Sequence, residues 1–361
     1  MSIRAKRAVD RTMKHIKPTI FTLIIFILFF IFFEGFCSSL FVIDSTISSL
    51  SSAQKKYQDY DKLLGWLTIP NIKIKDTFGP NSDVTSNSKS FRNDKEFKVE
   101  IPKGKKRILC CGDSFTFGIG VNNKSTWCEQ LASLDNTLET INMGQGGFGI
   151  DQAYLWYMRD GKSLDHNIHL FAFITSDFQR MRLYERYPYY YKPVIKLVNG
   201  SLKITNTPVP RHSIFYRKIL DFVPVLQRFR FYELFTNKLP IKYKEKISIS
   251  SDNEVKQIAL EIFKELEEAN KKKNSSLVLV YLPTAFEYLE LRDETNSLRE
   301  WVKQEALKRN ILFIDLYDDY LQLPYEKAIT LFLKNDLHYS EEGNRFIAET
   351  IYKKLKSLKL L

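Results

Sequence analysis

From Arg107 onward, short apolar runs alternate with stretches of helical period. RILCC (107–111), LETINM (138–143), IHLFAFIT (168–175), SLVLVYL (276–282) and ILFIDL (311–316) are too short and too evenly apolar for surface helices, and they read as strands buried on both faces. Between them, apolar positions recur every three to four residues around Thr126–Leu134, Asp151–Gly161, Asn253–Asn274 and Thr295–Arg309, with a last such stretch from Glu341 to Leu358. Near-continuous apolar strands alternating with helices predict an α/β fold, a doubly wound parallel sheet of about five strands with helices on both faces.

The N-terminal pattern is of another kind. Ile20 to Ile43 is apolar except for one charge, Glu34, and at helical rise it is long enough to cross a bilayer. Arg4, Lys6, Arg7, Arg11, Lys14 and Lys17 precede it against a single acid, Asp10. This bias predicts a cytoplasmic tail (1–19), one transmembrane helix (20–43), and the remainder outside the cytoplasmic membrane, periplasmic or at the cell surface. A cleaved signal peptide is the rival reading, since the densest run, Ile20–Phe33, has h-region length. No small-x-small site closes that run, and Phe36 before Cys37 argues against lipoprotein processing. Residues 44–100 then read as a Ser-rich stalk and an irregular or hairpin-bearing lead-in, and 101–361 as the α/β domain. An insertion at about 184–251 breaks the strand–helix rhythm. Its aromatic, basic core (210–235) is read as packing on the domain, or else as a cap or a face resting on anionic membrane.

The formal charge of +12 changes this picture little, because the lysines are dispersed and often alternate with Glu, which argues against a nucleic-acid partner. Cys37, Cys110, Cys111 and Cys128 lack zinc-ligand spacing, so neither a metal site nor a disulfide framework is expected. Gly144, Gly146 and Gly149 form a G-x-G-x-x-G, the pattern of a dinucleotide site. It follows the second strand instead of the first, and the next candidate acid, Asp177, falls too far on, so no cofactor is expected.

In a doubly wound sheet the loops at the carboxyl ends of the strands gather at one edge. Four such loops here are GDSFTFGIGV (112–121), NMGQGGFG (142–149), TSDF (175–178) and DLHYSEEGNRFIAE (336–349). Their order and spacing, over about Arg107 to Leu358, resemble the SGNH (GDSL) hydrolase family. The resemblance implies a flavodoxin-like fold, Ser114 as nucleophile and His338 as base. It also implies an oxyanion hole made by the Ser114 N–H, Gly147 and the third block, where Ser176 stands at the position of the family's usual asparagine. The family's usual Asp-x-x-His would place Asn335 in the acid's position. Some relatives, especially membrane-linked ones acting on polysaccharides, use Asp-x-His, which Asp336 satisfies.

The residues themselves point the same way. A serine hydroxyl needs an adjacent base, and that base needs a carboxylate to fix its tautomer. His338 is the only histidine after His212, and Asp336 lies two residues before it. Asp113 is read as holding the loop through backbone bonds, without a catalytic role. The expected function is therefore acyl-ester hydrolysis or acyl transfer through an acyl–serine intermediate, on an O-acylated cell-surface glycan or similar ester. The alternative is a non-catalytic carbohydrate-binding or assembly protein on a degenerate scaffold, since fold does not fix function.

Overall fold

The computed structural model describes residues 18, 20–36, 57–186, 190–211, 248–249, 251–285, 287, 293–334 and 336–361. Two units are distinct: residues 1–51 with 212–244, and residues 52–211 with 245–361. In the first unit the described residues 20–36 form a helix, α1, with large apolar side chains exposed along it, Phe26 and Phe32 among them. Among the described residues no helix is long and apolar enough to cross a membrane, so the transmembrane span expected at 20–43 is not found there. Positions 37–43 of that span, and 212–247 of the insertion, lie outside the described residues.

The second unit is built on a five-stranded sheet. Its strands are β5 (Lys106–Gly112), β6 (Leu138–Gly144), β7 (Ile168–Phe173), β12 (Ser276–Tyr281) and β13 (Leu312–Asp315), in the spatial order β13-β12-β7-β5-β6. Every pairing is parallel. The chain runs from β5 to β6 on one side and then crosses to β7 on the other, so the strand order reverses at β5. That reversal opens a crevice at the carboxyl ends of β5 and β7, where ligands of such sheets bind.

Strand alternation divides the core in two. Ile108, Cys110, Leu170 and Val278 face α3 (Trp127–Ser133) and α10 (Glu341–Ser357), while Leu109, Cys111, Phe171 and Leu279 face α4 (Ile150–Arg159) and α6 (Asp252–Lys271). The long α6 follows its apolar period, burying Val255, Ile258, Ala259, Ile262, Phe263 and Leu266. Between α6 and α10 come α7 (Asp293–Lys308), which leads into β13, and the short α8 (Tyr317–Leu321) and α9 (Tyr325–Thr330). One consequence of the alternation was not expected. Cys110 lies opposite Cys128 on α3, with a Cα–Cα separation of 6.3 Å, and the two form a disulfide. Adjacent cysteines on a strand point to opposite faces, so Cys111 stays a buried thiol on the other side of the sheet. The register, and not the sequence spacing, makes the pair.

Ahead of the sheet, residues 57–100 form two short antiparallel hairpins, β1 (Gln58–Asp61) with β2 (Gly65–Thr68) and β3 (Lys73–Ile74) with β4 (Val84–Thr85). They pack onto the loops at the carboxyl edge of the sheet. Arg92, which comes after them, is 1% exposed. Its guanidinium donates to the carbonyls of Phe117 (2.6 Å), Gly118 (2.5 Å) and Val121 (2.5 Å) and to Asn123 Oδ1 (3.0 Å). Burial lowers its pKa to about 9. Of the insertion, β8 (Glu185–Arg186) pairs with β9 (Tyr190–Tyr191), and β10 (Val194–Val198) with β11 (Ser201–Thr205).

The first two loops of the carboxyl edge meet backbone to backbone. A Cβ added to Gly144, the last residue of β6, would lie 2.1 Å from the Phe117 nitrogen and 2.4 Å from the Thr116 carbonyl carbon. Neither of those backbone atoms can yield as a flexible side chain does. Gly144→Ala is therefore expected to lower the unfolding free energy by about 3 kcal/mol or more, the upper range of overpacking costs. Urea denaturation measures it, and a variant as stable as wild type would show that the two loops are free to part.

Candidate active site

Directly after β5 comes a single helical turn, α2 (Ser114–Phe117), with Asp113 as its N-cap accepting from the Phe115 N–H at 2.9 Å. The turn closes on Gly118, whose left-handed φ of 85° returns its N–H to the Ser114 carbonyl. Asn142 on β6 holds the turn from beside: its Nδ2 donates to the Thr116 carbonyl and its Oδ1 accepts from the Gly144 N–H, both at 2.9 Å. Ser114 thus starts a helix on a rigid support, 4% exposed, with its hydroxyl directed at the crevice.

The segment carrying His338 reaches this point from the far end of the chain. An antiparallel bridge joins Phe332 to Tyr339, with Leu333 N–H donating to the His338 carbonyl and Ser340 N–H to the Leu331 carbonyl, each at 2.8 Å. Ser340 then caps α10, accepting from the Gly343 N–H at 3.0 Å. His338 Nε2 lies 2.9 Å from Ser114 Oγ. Its Nδ1 pairs with Asp336 Oδ1. A carboxylate only two residues away can reach the ring because the chain turns sharply between them. His338 N–H donates to the Asp336 carbonyl, and Leu337 takes a φ of 27°, a backbone region that costs a side-chain-bearing residue energy. With Nδ1–H given to the carboxylate, Nε2 keeps its lone pair toward the serine. Asn335, the alternative acid position, lies outside the described residues.

Gly147 and Ser176 line the same cavity of about 500 Å³ as Ser114, His338 and Asp336. Gly147 has a φ of 81°, so the loop after β6 depends on glycine at that position. Ser176 is the second residue of α5 (Thr175–Met181), at the carboxyl end of β7, and is exposed to the cavity. All five residues singled out in the sequence therefore come together around one opening. Gly144, Gly146 and Gly149 serve this loop and its packing. Among the described residues no cluster of potential metal ligands occurs.

Several lining residues had no signal in the sequence. Tyr57, Gln58, Trp66 and Phe78 come from the lead-in, Tyr190 from the insertion, Thr284 from the loop after β12 and Arg180 from α5. Arg180 also organises the floor. Its guanidinium donates to Asp113 Oδ2 (2.9 Å), the Phe148 carbonyl (3.0 Å) and Asp177 Oδ1, while Asp177 Oδ2 accepts from the Ile174 N–H at 3.1 Å. Burial, reinforced by the neighbouring Asp113, pushes the Asp177 carboxyl well above the usual range. Asp113 Oδ2 also lies 3.3 Å from Ser114 Oγ, so Asp113 touches the serine hydroxyl besides capping the turn.

No protein-family profile matches the chain, and no curated protein matches it. Solved structures give slight likenesses. A member of the lipolytic protein G-D-S-L family from Veillonella parvula is 13% identical, with 70% of this chain and 98% of that one covered and a TM-score of 0.41. The acetyl xylan esterase AlAXEase is 15% identical over 69% and 99%, at 0.41, and a GDSL-like lipase from Bacteroides thetaiotaomicron is 13% identical over 73% and 93%, at 0.39. Likenesses this slight decide nothing about chemistry, which is set by the geometry of the site.

A second titrating group lies beneath the cavity wall. Buried Glu287 accepts from the Tyr281 hydroxyl and from the Thr284 N–H (2.9 Å), and Tyr281 is 2.9 Å from Thr175 Oγ1, the neighbour of Ser176. Burial raises Glu287 to about 7. An unfolded chain releases this proton near the ordinary glutamate value of about 4.3, whereas the folded chain holds it to about 7, so this group's contribution to stability falls as pH rises through that window. Glu287→Gln cannot ionise. Its melting temperature relative to wild type is expected to rise between about pH 5 and about pH 8, and a difference that stays constant with pH would refute the assignment.

Proposed function

We propose that this protein is a serine esterase or acyl-transferring enzyme that works through an acyl–Ser114 intermediate. The observation that carries the reading is the continuous chain Asp336–His338–Ser114, with Nε2 2.9 Å from Oγ, opening on a cavity that Gly147 and Ser176 also line. Attack by Oγ on an ester carbonyl passes the hydroxyl proton to Nε2. Asp336 holds the tautomer and stabilises the imidazolium that results. The imidazolium then protonates the leaving alcohol, and water or a sugar hydroxyl, activated by the same ring, takes the acyl group from Ser114. The oxyanion formed in each step is met by the N–H groups of Ser114 and Gly147 and by the Ser176 hydroxyl. A binding-only role has no use for a histidine held between a carboxylate and a serine hydroxyl.

The substrate we infer is an O-acylated glycan. Tyr57, Phe78 and Tyr190 bring aromatic rings and Gln58 and Thr284 bring polar groups to the lining, a mixture that suits a sugar ring better than a long acyl chain. We place the enzyme outside the cytoplasmic membrane, tethered through its N-terminal segment. The Cys110–Cys128 disulfide supports an oxidising compartment, and the basic residues before the apolar run support the orientation.

Ser114→Ala and His338→Ala are each expected to lower kcat on an activated acetyl ester by about 10³-fold or more, with the double variant little worse, because such residues act as a unit. Asp336→Asn should cost far more activity than Asn335→Ala. Intact mass spectrometry of wild type should show an acyl adduct on Ser114 that a sugar acceptor discharges if the enzyme is a transferase. Folded single variants with near wild-type turnover would end the catalytic reading.

Ser176 allows a finer test, because a hydroxyl can donate to the oxyanion with shorter reach and freer rotation than an amide. Ser176→Ala is expected to reduce kcat by about 10-fold, and Ser176→Asn to maintain or raise it. An Ala variant as active as wild type beside an Asn variant that gains nothing would remove Ser176 from the hole.

A further inference from the structure

The loop after β6 is gripped by the β1–β2 hairpin at three successive points. Thr68 donates from its N–H (2.9 Å) and its hydroxyl (2.8 Å) to Gln145 Oε1. Trp66 Nε1 donates to the Gly146 carbonyl at 2.9 Å. Gln152 Nε2, in the first turn of α4 just beyond the loop, donates to the Leu64 carbonyl at 2.7 Å. The middle contact falls on the peptide that carries the Gly147 N–H.

That peptide is planar and trans, so its carbonyl and its N–H point in opposite directions and turn together as one unit. Fixing the Gly146 oxygen therefore fixes the direction of the Gly147 N–H. Gly147 is in the left-handed region and Gly146 has no side chain, so neither residue's own rotamer restrains the plane. The indole restrains it from outside through the Gly146 carbonyl. The indole itself cannot swing: it is 2% exposed, edge-on to Phe148 at 5.6 Å and against Tyr190 at 5.7 Å between ring centroids.

We infer that Trp66 is a positioning residue for the oxyanion hole, aiming the Gly147 N–H through the Gly146–Gly147 peptide. This rests on the reading of Ser114 as nucleophile and of Gly147 as a donor to the oxyanion. In this role Trp66, which also lines the cavity, acts on the reacting atoms only through that peptide. It acts by preventing rotation of one peptide plane, so its removal weakens the hole in the transition state and leaves ground-state binding in place.

The experiment uses the full chain with Trp66→Phe and with Trp66 replaced by benzothienylalanine, which keeps the bicyclic shape and loses only the N–H. Activity on an activated acetyl ester is measured beside Ser114→Ala, together with inhibition by a methylboronic acid, whose tetrahedral serine adduct carries an anionic oxygen, and by the planar acetamide analogue. For both Trp66 variants kcat should fall by about 10-fold, part of what a whole oxyanion donor is worth, with KM changed less than about 2-fold. Boronic acid affinity should fall by the same factor as kcat/KM, and acetamide affinity should hold. Should Trp66→Phe fail to fold, the benzothienyl chain alone decides. Wild-type kcat in that chain, or a loss confined to KM, overturns the role of Trp66 while Ser114→Ala inactivity leaves the catalytic reading intact. Activity retained in Ser114→Ala overturns both.

Discussion

The contact on which the site depends is between two pieces of backbone. Where β6 ends at Gly144, the chain lies against the Thr116–Phe117 peptide with no side chain between them. Packing this close fixes the height of the Ser114 turn relative to the loop that carries Gly147, and these are the two parts that any tetrahedral intermediate here would have to touch at once. Asn142 bonds both sides of the seam, and Arg92 collects the carbonyls on the turn's outer side. A buried guanidinium is costly unless its donors are satisfied. Here several backbone carbonyls satisfy it, and without it those of Phe117 and Val121 would lose this donor.

Much of this was legible in the sequence, because the relevant signals are local. Buried strands announce themselves by unbroken apolar runs, and each of the five runs overlaps a strand of the sheet, from Lys106–Gly112 to Leu312–Asp315. Ser114, Gly147, Ser176, Asp336 and His338 were found because the blocks that carry them resemble, in order and spacing, those of the SGNH (GDSL) hydrolases. The tight turn at Leu337 shows how a carboxylate two residues from a histidine can reach it, a point of backbone geometry that spacing alone leaves open.

What was not legible is what depends on distance along the chain. Trp66 meets Gly146, and Arg92 meets Phe117, through contacts that no periodicity announces. The disulfide is similar. Two adjacent cysteines in a strand suggest a local feature, yet strand alternation gives one to the α3 face and leaves the other as a thiol beneath α4 and α6. Asp177, read from sequence as a candidate ribose ligand too far from its glycines, instead caps α5 and shares Arg180 with Asp113.

The grip of the β1–β2 hairpin on the loop after β6 also bears on the order in which the molecule is made. The hairpin leaves the ribosome first, and its three partners lie 77, 80 and 88 residues further on. Contacts over such separations are slow to close, and here they cannot begin until β5, the serine turn and β6 have all been synthesised. The nascent chain therefore holds the Ser114 turn before the loop that carries Gly147 is fixed beside it. Asp336 and His338 are made later still, so the hairpin and all three of its partners are present before the residues that complete the Ser114 site.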